Sequence, residues 1–408
     1  MIILLQLTIS FQNKEVANIK NFFRVIILIL SSLLLSSCWD KKELNELAIV
    51  FALGVDKVED GYEISAQVVN PDILASKNAN STRSPVVTFH GKGDSIYEAI
   101  RKMTTLTPRK LHFSHMQLVV FGEELASQGI SETIDLLARD REVREDFNFV
   151  VSRNSNAGEI LEVLTPIEKI PASKIINSLN ASIKAWGSTA SVNIDDITST
   201  LKSSQKNLVL SAIEIYGDRE LGKELTNLES IDVPTILKLE GLAVFKKDQL
   251  IGYLTEEESK GFNYLSDKIE TTIETISCPK EGKLSTEVIR AQTKTKGNFE
   301  NGTPKIKVHI NVEQNVGEVK CALNLTEEKN LKYINKKTAD LIKTRIEDTL
   351  TIAQENFQSD IFGFGDVLYR EDLNQWKKIK DDWLSIFPKL DVKVEVDVRT
   401  IGIGSLTN

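Results

Sequence analysis

Met116-Gln117-Leu118-Val119-Val120-Phe121-Gly122 is the stretch whose surroundings best predict the fold of this chain. It is short, almost entirely apolar and followed by a polar segment, which is typical of a buried strand. Helices and strands alternate around it, in the order strand 86–91, helix 94–103, strand 116–122, helix from 131, strand 147–151 and helix 157–164. Such alternation predicts a mixed α/β sheet covered by helices.

The flanking segments extend this first domain. Before it, apolar runs at 47–56 and 62–69 lie on either side of Glu59-Asp60-Gly61, which predicts a hairpin. After it come two predicted helices, 172–186 and 195–202, and a strand at 208–216. We therefore predict an N-terminal domain over residues 38–216, within which 170–216 could form a separate helical subdomain.

The remainder reads as a second domain. Residues 217–236 are charged and irregular and are predicted to be a linker to a C-terminal domain over 237–408. This domain begins with a predicted hairpin and continues with strands of period two, at 239–245, 249–254, 287–297 and 306–312.

Two helices and a last strand complete the predicted C-terminal domain. The first helix covers 331–358, and the second places Trp376 and Trp383 two turns apart, where core packing is expected. Valines at every second position from 392 to 398 predict the last strand. An antiparallel sheet with long helices packed on one face follows, so the predicted fold class is α+β and multi-domain.

Length and charge narrow the functions that the chain can have. Its 408 residues exceed what one core normally holds, so two or three domains are expected. The formal charge is −8, and removal of residues 1–37, which hold three bases and one acid, brings it to −10. An acidic surface argues against nucleic acid as a partner and against broad adhesion to anionic lipid.

Leu35-Ser36-Ser37-Cys38 ends a segment built like a bacterial export signal. Scattered basic residues precede an apolar run over 25–35, which at 11 residues is too short to cross a membrane. A cysteine directly after the small residues has the form of a lipobox. We predict that residues 1–37 are a cleaved lipoprotein signal peptide and that Cys38 becomes an N-palmitoyl, S-diacylglycerol cysteine that anchors the chain to a membrane.

Two further cysteines, Cys278 and Cys321, remain after lipidation. Outside the cytoplasm they could pair in a disulfide. The chain is long enough to build its cores without such a link, so free and buried thiols are the favoured interpretation.

No residue pattern predicts catalysis, a cofactor or a metal. His112 and His115 lie three residues apart, but no acidic or cysteine ligand stands at matching spacing, and His90 and His309 lie alone on predicted strands. Gly363-Phe364-Gly365 has no third glycine for dinucleotide binding and is predicted to be a tight turn between helices. Because the common hydrolase, nucleotide-binding and zinc-protease motifs are absent from the sequence, we predict that the protein is not an enzyme.

Phrases along the mature chain are similar to the Ger(x)C family, the C subunits of nutrient germinant receptors, which are spore-germination lipoproteins of endospore-forming bacteria. They occur in the family's order, although the match is weak over 170–235. The phrases are Cys38-Trp39-Asp40, Gly54-Val55-Asp56, Gln67-Val68-Val69-Asn70-Pro71, residues 115–126, Arg139-Asp140, Gly241-Leu242-Ala243-Val244-Phe245, Asp360-Ile361-Phe362-Gly363-Phe364-Gly365 and Trp376-Lys377.

The resemblance implies a lipoprotein on the outer face of the spore inner membrane. It also implies assembly with two integral-membrane receptor subunits, so that a nutrient would act on this chain at most indirectly. The family has no established catalytic residues, and only Cys38 carries over with a defined role.

Two other functions remain open at this point. A solute-binding lipoprotein of a membrane transporter would share the anchor, but such proteins usually have two similar α/β lobes around a cleft. A lipid-anchored hydrolase would require a nucleophile and a base in a cleft, and the sequence does not reveal them.

Overall fold

The computed structural model describes residues 47–70, 84–203 and 205–403, together with Phe22, Arg24 and Ile26. The chain forms two compact units, Met1–Leu47 and Ala48–Asn408. In the first unit Phe22, Arg24 and Ile26 are helical. The predicted cleavage site and Cys38 lie outside the described residues. The architecture described below is that of the second unit.

A nine-stranded sheet forms the larger part of this unit, in the order β3-β2-β1-β5-β6-β7-β8-β9 with β4 paired to β1. β1, β5, β6 and β7 are parallel, and antiparallel strands extend the sheet on both sides. The strands are β1 (Leu47–Val58), β2 (Gly61–Val69), β3 (Val86–Gly93), β4 (Lys110–His112), β5 (Leu118–Phe121), β6 (Asn148–Ser152), β7 (Val209–Gly217), β8 (Thr235–Lys246) and β9 (Gln249–Leu254).

Both faces of this sheet are buried. In β5, Val119 and Phe121 pack into one apolar core, whereas Leu118 and Val120 pack into another on the opposite face. This explains why the central strands are continuous apolar runs rather than alternating ones.

Helices connect the strands and cover the sheet. Several begin at side chains that accept hydrogen bonds from the first helical turn, including Asn156, Asn193 and Thr255. In this part of the chain they are α1 (Ile96–Lys102), α2 (Glu123–Gln128), α3 (Ser131–Arg139), α4 (Ala157–Glu162), α5 (Pro171–Ala185), α6 (Ile194–Lys202), α7 (Arg219–Gly222), α8 (Thr226–Glu229) and α9 (Glu256–Leu265).

A second sheet has the order β10-β11-β12-β13. Its strands are β10 (Thr272–Ser277), β11 (Lys283–Glu300), β12 (Thr303–Val319) and β13 (Asp391–Gly402). Buried and more exposed side chains alternate along β12, because α10 (Glu328–Thr351) covers one face of the sheet. A π-helical turn, Ile352–Phe357, continues α10. One apolar core runs from the large sheet to this smaller one.

The last strand differs from the expectation of a wholly antiparallel sheet. β13 pairs in parallel with β12, from Lys305 opposite Asp391 to Asn315 opposite Gly402. The segment between these strands contains α10, α11 (Phe364–Glu371), α12 (Leu373–Ile379) and α13 (Trp383–Ile386), which together form the crossover that a parallel pair requires. The second long helix of the prediction is thus three shorter helices, but Trp376 and Trp383 are buried as expected, with ring centroids 5.2 Å apart.

The favoured interpretation of the two cysteines was wrong. Cys278 and Cys321 form a disulfide, with their Cα atoms 6.5 Å apart. The bond links the turn after β10 to the segment after β12, two places that lie 43 residues apart in the chain. Only the hairpin geometry of β11 and β12 brings them together.

The sheet hydrogen bonds cross the expected domain boundary. Residues 217–236, predicted as a linker, contain α7 and α8, and β8 pairs with β7 across them. The hairpin of β8 and β9, assigned to the C-terminal domain, extends the large sheet. The division at 216 and 237 stays a prediction.

Candidate functional site

Cys38, the single site residue of the prediction, lies outside the described residues, so its lipidation stays a prediction. Among the residues that are described, no helix is long and apolar enough to cross a bilayer.

The paired histidines do not form a metal centre. The Nε2 atom of His112 lies 2.6 Å from the hydroxyl of Ser114, and its ring centroid is 6.5 Å from that of His115, which is exposed. Within the described ranges no three His, Cys, Asp or Glu side chains are arranged to hold a metal ion.

His90 instead joins a chain of polar side chains that sequence reasoning missed. Its Nδ1 atom lies 2.9 Å from the hydroxyl of Ser65, and its Nε2 atom lies 2.8 Å from Oε1 of Glu162 on α4. The ammonium group of Lys223 lies 3.1 Å from the other oxygen of Glu162. The hydrogen bond to Glu162 raises the pKa of His90, and the same bond lowers the pKa of Glu162.

This Ser65–His90–Glu162 chain has the residue types of a hydrolase triad but not its accessibility. Ser65 is completely buried, and a Cβ atom on Gly158 would lie 2.7 Å from its hydroxyl. A nucleophile must reach a substrate and face an oxyanion site, and the packing of α4 leaves no space for either. The chain of hydrogen bonds therefore holds α4 on β2 and β3.

Asp56 fixes the beginning of the same helix. Its carboxylate accepts hydrogen bonds from the backbone N–H groups of Ala157, at 2.8 Å, and Gly158, at 3.1 Å. Burial raises the pKa of Asp56 to about 6, although these two bonds oppose the shift. A Cβ atom on Gly122 would collide with this carboxylate, which explains why the residue directly after β5 is glycine.

Asp360 has a similar role before α11. It is buried and accepts hydrogen bonds from four backbone N–H groups, those of Phe362, Gly363, Phe364 and Gly365. Gly363 has φ +77°, a conformation that favours glycine. The predicted tight turn is thus built around one carboxylate, whose pKa burial raises to about 6.

A buried ionic cluster joins α9, α10 and β10. Both oxygens of Glu274 accept hydrogen bonds from Nη1 of Arg345, at 2.5 and 2.6 Å, and Oε1 also accepts one from Tyr264 at 3.0 Å. Glu257 binds the other end of the guanidinium group. Nearby, the ammonium group of Lys260 lies 3.4 Å from the ring centroid of Trp186. Burial lowers the pKa of Lys260, because loss of water disfavours its charged form, whereas the contact with the Trp186 ring favours that form.

The buried groups described above stabilise packing. Asp360 also lines a cavity of about 450 Å³, but its carboxylate is occupied by four backbone N–H groups. Two family models match, "Spore germination protein N-terminal domain" at residues 40–215 and "Spore germination B3/ GerAC like, C-terminal" at residues 240–404. Spore germination protein KC of Bacillus subtilis (strain 168) is 34% identical over 388 residues, which cover 93% of this chain and 95% of that protein.

The chain belongs to the spore germination B3/GerAC-like family. The resemblance inferred from the sequence is confirmed. Spore germination protein B3 of Bacillus subtilis (strain 168), a more distant member, is 22% identical over 389 residues, covering 92% of this chain and 96% of that one.

A solved structure shows that the family fold extends over nearly the whole chain. The structure titled "Crystal Structure of the GerBC protein" matches with a TM-score of 0.55 at 16% identity, covering 86% of this chain and 96% of that one. At this identity the match shows the fold alone. The predicted α+β, multi-domain fold class is confirmed by it and by the two sheets.

Proposed function

We propose that this GerAC-like chain is a lipid-anchored, non-catalytic subunit of a nutrient germinant receptor that acts in spore germination. In this proposal Cys38 carries the lipid, the body lies on the outer face of the spore inner membrane, and two integral-membrane subunits are its partners. The observation that carries the proposal is the match with a named spore germination protein over 95% of that protein's length.

The leader supports the anchoring part of this proposal. A lipobox at Cys38 follows an apolar run too short to span a bilayer. One acyl chain binds a membrane only marginally, at ~0.8 kcal/mol per buried CH₂, whereas a lipidated cysteine with several chains stays bound. Anchoring would also raise the effective concentration of the chain for membrane partners.

Burial of Ser65 supports the non-catalytic part, because the Ser65–His90–Glu162 chain is closed to substrates. In a further serine–histidine–glutamate group, Nδ1 of His112 lies 3.7 Å from Glu142, which is beyond hydrogen-bond distance, so Ser114 and His112 do not complete a triad. Against a solute-binding lipoprotein stands the difference between the sheets, since a nine-stranded sheet and a four-stranded one are not two similar lobes.

Anchoring is tested by labelling cells that express the full chain with radioactive palmitate and measuring the mass of its amino-terminal peptide. We expect label on Cys38 and loss of residues 1–37, whereas Cys38→Ala stays unlabelled and uncleaved. A Cys278→Ser/Cys321→Ser variant serves as the control and keeps the label. An unlabelled wild-type chain with its leader intact would refute the anchor.

The receptor role is tested in spores of the source organism that carry Cys38→Ala at the native gene. We expect nutrient-induced germination to slow or stop, while germination by a stimulus that bypasses nutrient receptors stays at the wild-type rate. Deletion of the gene without any effect on nutrient responses would refute the role, whatever the lipidation result.

A further inference from the structure

A cluster of exposed apolar side chains lies on residues 216–236 and the adjacent Ile167, which we call the leucine tip. Ile231 is fully exposed and Ile167 is 94% exposed. In the part of the chain that the structure describes, no other short segment exposes so many large apolar side chains. The members are Ile167, Tyr216, Leu221, Leu225, Leu228, Ile231 and Ile236.

Buried hydrogen bonds hold the leucine tip in a defined conformation. Asn227 is completely buried, and its amide donates to the carbonyl oxygens of Leu164, at 2.7 Å, and Thr235, at 3.0 Å. Its side-chain oxygen accepts a hydrogen bond from Thr235 N–H at 2.9 Å. The backbone N–H of Leu164 donates a hydrogen bond to the carbonyl oxygen of Gly222. This bond connects the loop that carries Ile167 to α7. The segment therefore buries the polar side chain of Asn227 and exposes its leucine side chains. An ordinary surface segment does the reverse, because it exposes polar side chains and buries apolar ones.

Most of the charged side chains of the leucine tip are acidic. Its two cations turn back toward α4, where Arg219 lies 3.2 Å from Glu159 and Lys223 lies 3.1 Å from Glu162. The segment's own acids outnumber them and are Asp218, Glu220, Glu224, Glu229 and Asp232. An anionic bilayer would repel this rim, whereas a basic protein surface would attract it.

A surface with the complementary chemistry occurs on the same chain. A groove of about 380 Å³ lies between α1, β4 and α3, and we call it the basic groove. Apolar side chains such as Ile100, Phe113 and Leu136 line it. Four exposed cations stand around it against two partly buried acids, Asp140 and Glu142; the cations are Arg101, Lys110, Arg139 and Arg141. Lys110 binds Glu142 at 2.6 Å and Arg139 binds Asp135 at 2.8 Å, so the excess of positive charge around the groove comes from Arg101 and Arg141.

We propose that the leucine tip of one copy of this chain docks in the basic groove of a second copy. The contact would bury leucines on an apolar floor, and acids would meet cations around it, as in specific protein interfaces. The two surfaces lie at different places on one folded body, since the tip follows β7 and the groove lies beside β1 and β4, and both are exposed.

Such a contact is heterologous, because two different surfaces meet. A pair of copies therefore keeps one free groove, on the copy whose tip is bound, and one free tip, on the other copy. Further copies can add at these two surfaces to form a ring or an open row. Anchored copies would be concentrated on a membrane, which favours this association even where the contact is weak. The self-association does not depend on the nutrient role proposed above.

Cysteine crosslinking tests the contact on the full chain in membranes of an expressing host. One tagged copy carries Leu225→Cys on the tip, and a differently tagged copy carries Thr104→Cys at the groove. Mild oxidation is expected to give a dimer with both tags. As the matched control, Leu225→Cys is combined with Tyr369→Cys, an exposed position on α11, and this pair should stay monomeric.

A binding measurement on the full chain in detergent gives the second test. We expect Leu225→Asp/Leu228→Asp to weaken self-association by about 30-fold, the effect of losing an interface hot spot. Glu220→Lys/Glu224→Lys should also weaken it, and mixing this variant with Arg101→Glu/Arg141→Glu should restore it. Folding of each variant is checked by its unfolding midpoint, which exposed positions should leave unchanged.

Three results would overturn the proposal. One is a monomer at every concentration, and another is crosslinking between two tips with none between tip and groove. The third is a loss of binding to lipid vesicles, but not of self-association, in Leu225→Asp/Leu228→Asp; this would make the tip a membrane contact.

Discussion

The two sheets of this protein differ in how many of their faces are covered. This difference explains which polar and covalent links stabilise each sheet. The nine-stranded sheet is buried on both faces, and the carboxylate of Asp56 inside it is held by backbone N–H groups at the start of α4. The four-stranded sheet is buried on one face, and a salt bridge between Arg345 and Glu274 and a disulfide reinforce it. A one-sided sheet buries less apolar area per strand, so covalent and ionic links contribute more to its stability.

The largest expected loss of stability comes from placing a charge on a buried face of a sheet. Val119→Asp and Val120→Asp change neighbours on opposite faces of β5, and each should cost more than about 4 kcal/mol because each buries an unpaired charge. In β12 a comparable loss of stability is expected only at inward-facing positions, of which Val308→Asp is the example tested. Lys294→Asp, at an exposed position of β11, is the control and should fold normally. Urea unfolding measures all four, and tolerance of Val120→Asp would contradict the two-sided burial.

Removal of the buried cation comes next. Arg345→Met leaves Glu274 buried without its partner, which should lower the free energy of unfolding by about 3–5 kcal/mol. Arg345→Met/Glu274→Leu removes both charges and should recover most of the loss. If the double variant is no more stable than the single one, packing rather than the unpaired charge explains the cost.

The disulfide should have a somewhat smaller effect. Cys278→Ser/Cys321→Ser opens a loop of 43 residues and should cost about 2–4 kcal/mol, mainly by giving the unfolded chain more freedom. Hydrogen exchange should speed up near the ends of β11 and β12 and stay unchanged in β5 and β6. Equal acceleration in both sheets would mean that they do not differ in the way proposed here.

The buried carboxylates make stability depend on pH. Unfolded Asp56 has its ordinary pKa of 3.8 and folded Asp56 one of about 6, so between these values the folded state binds the proton more tightly. Its contribution to the free energy of unfolding is therefore greatest below pH 3.8 and falls by up to about 3 kcal/mol as pH rises to about 6. Asp56→Asn should flatten this part of the profile, and Asp381→Asn, at an exposed carboxyl, should not. A wild-type slope in Asp56→Asn would contradict the assignment.

Local sequence patterns predicted most single elements of this protein. A buried central strand, the helix that begins at Ser131 and the alternating strand β12 follow from periodicity alone, because the period of apolar residues reports how a segment is covered. The family resemblance was also readable in short phrases along the chain. The short strands β4 and β10 and the helix α9 were missed. The two strands have few residues in which a period could show, and the buried face of α9 includes the polar residues Ser259, Lys260 and Asn263, so no apolar period marks it.

Contacts between distant segments were decided only by the tertiary structure. The parallel pairing of β13, the bond between Cys278 and Cys321, and the approach of His90 to both Ser65 and Glu162 each depend on the chain returning to a place it has already passed. Local sequence preferences do not specify which distant segments come into contact, because many folds share the same local periodicity of apolar residues. For the same reason a leader with a lipidated cysteine could be predicted from consecutive residues, whereas the leucine tip is visible only when burial is known.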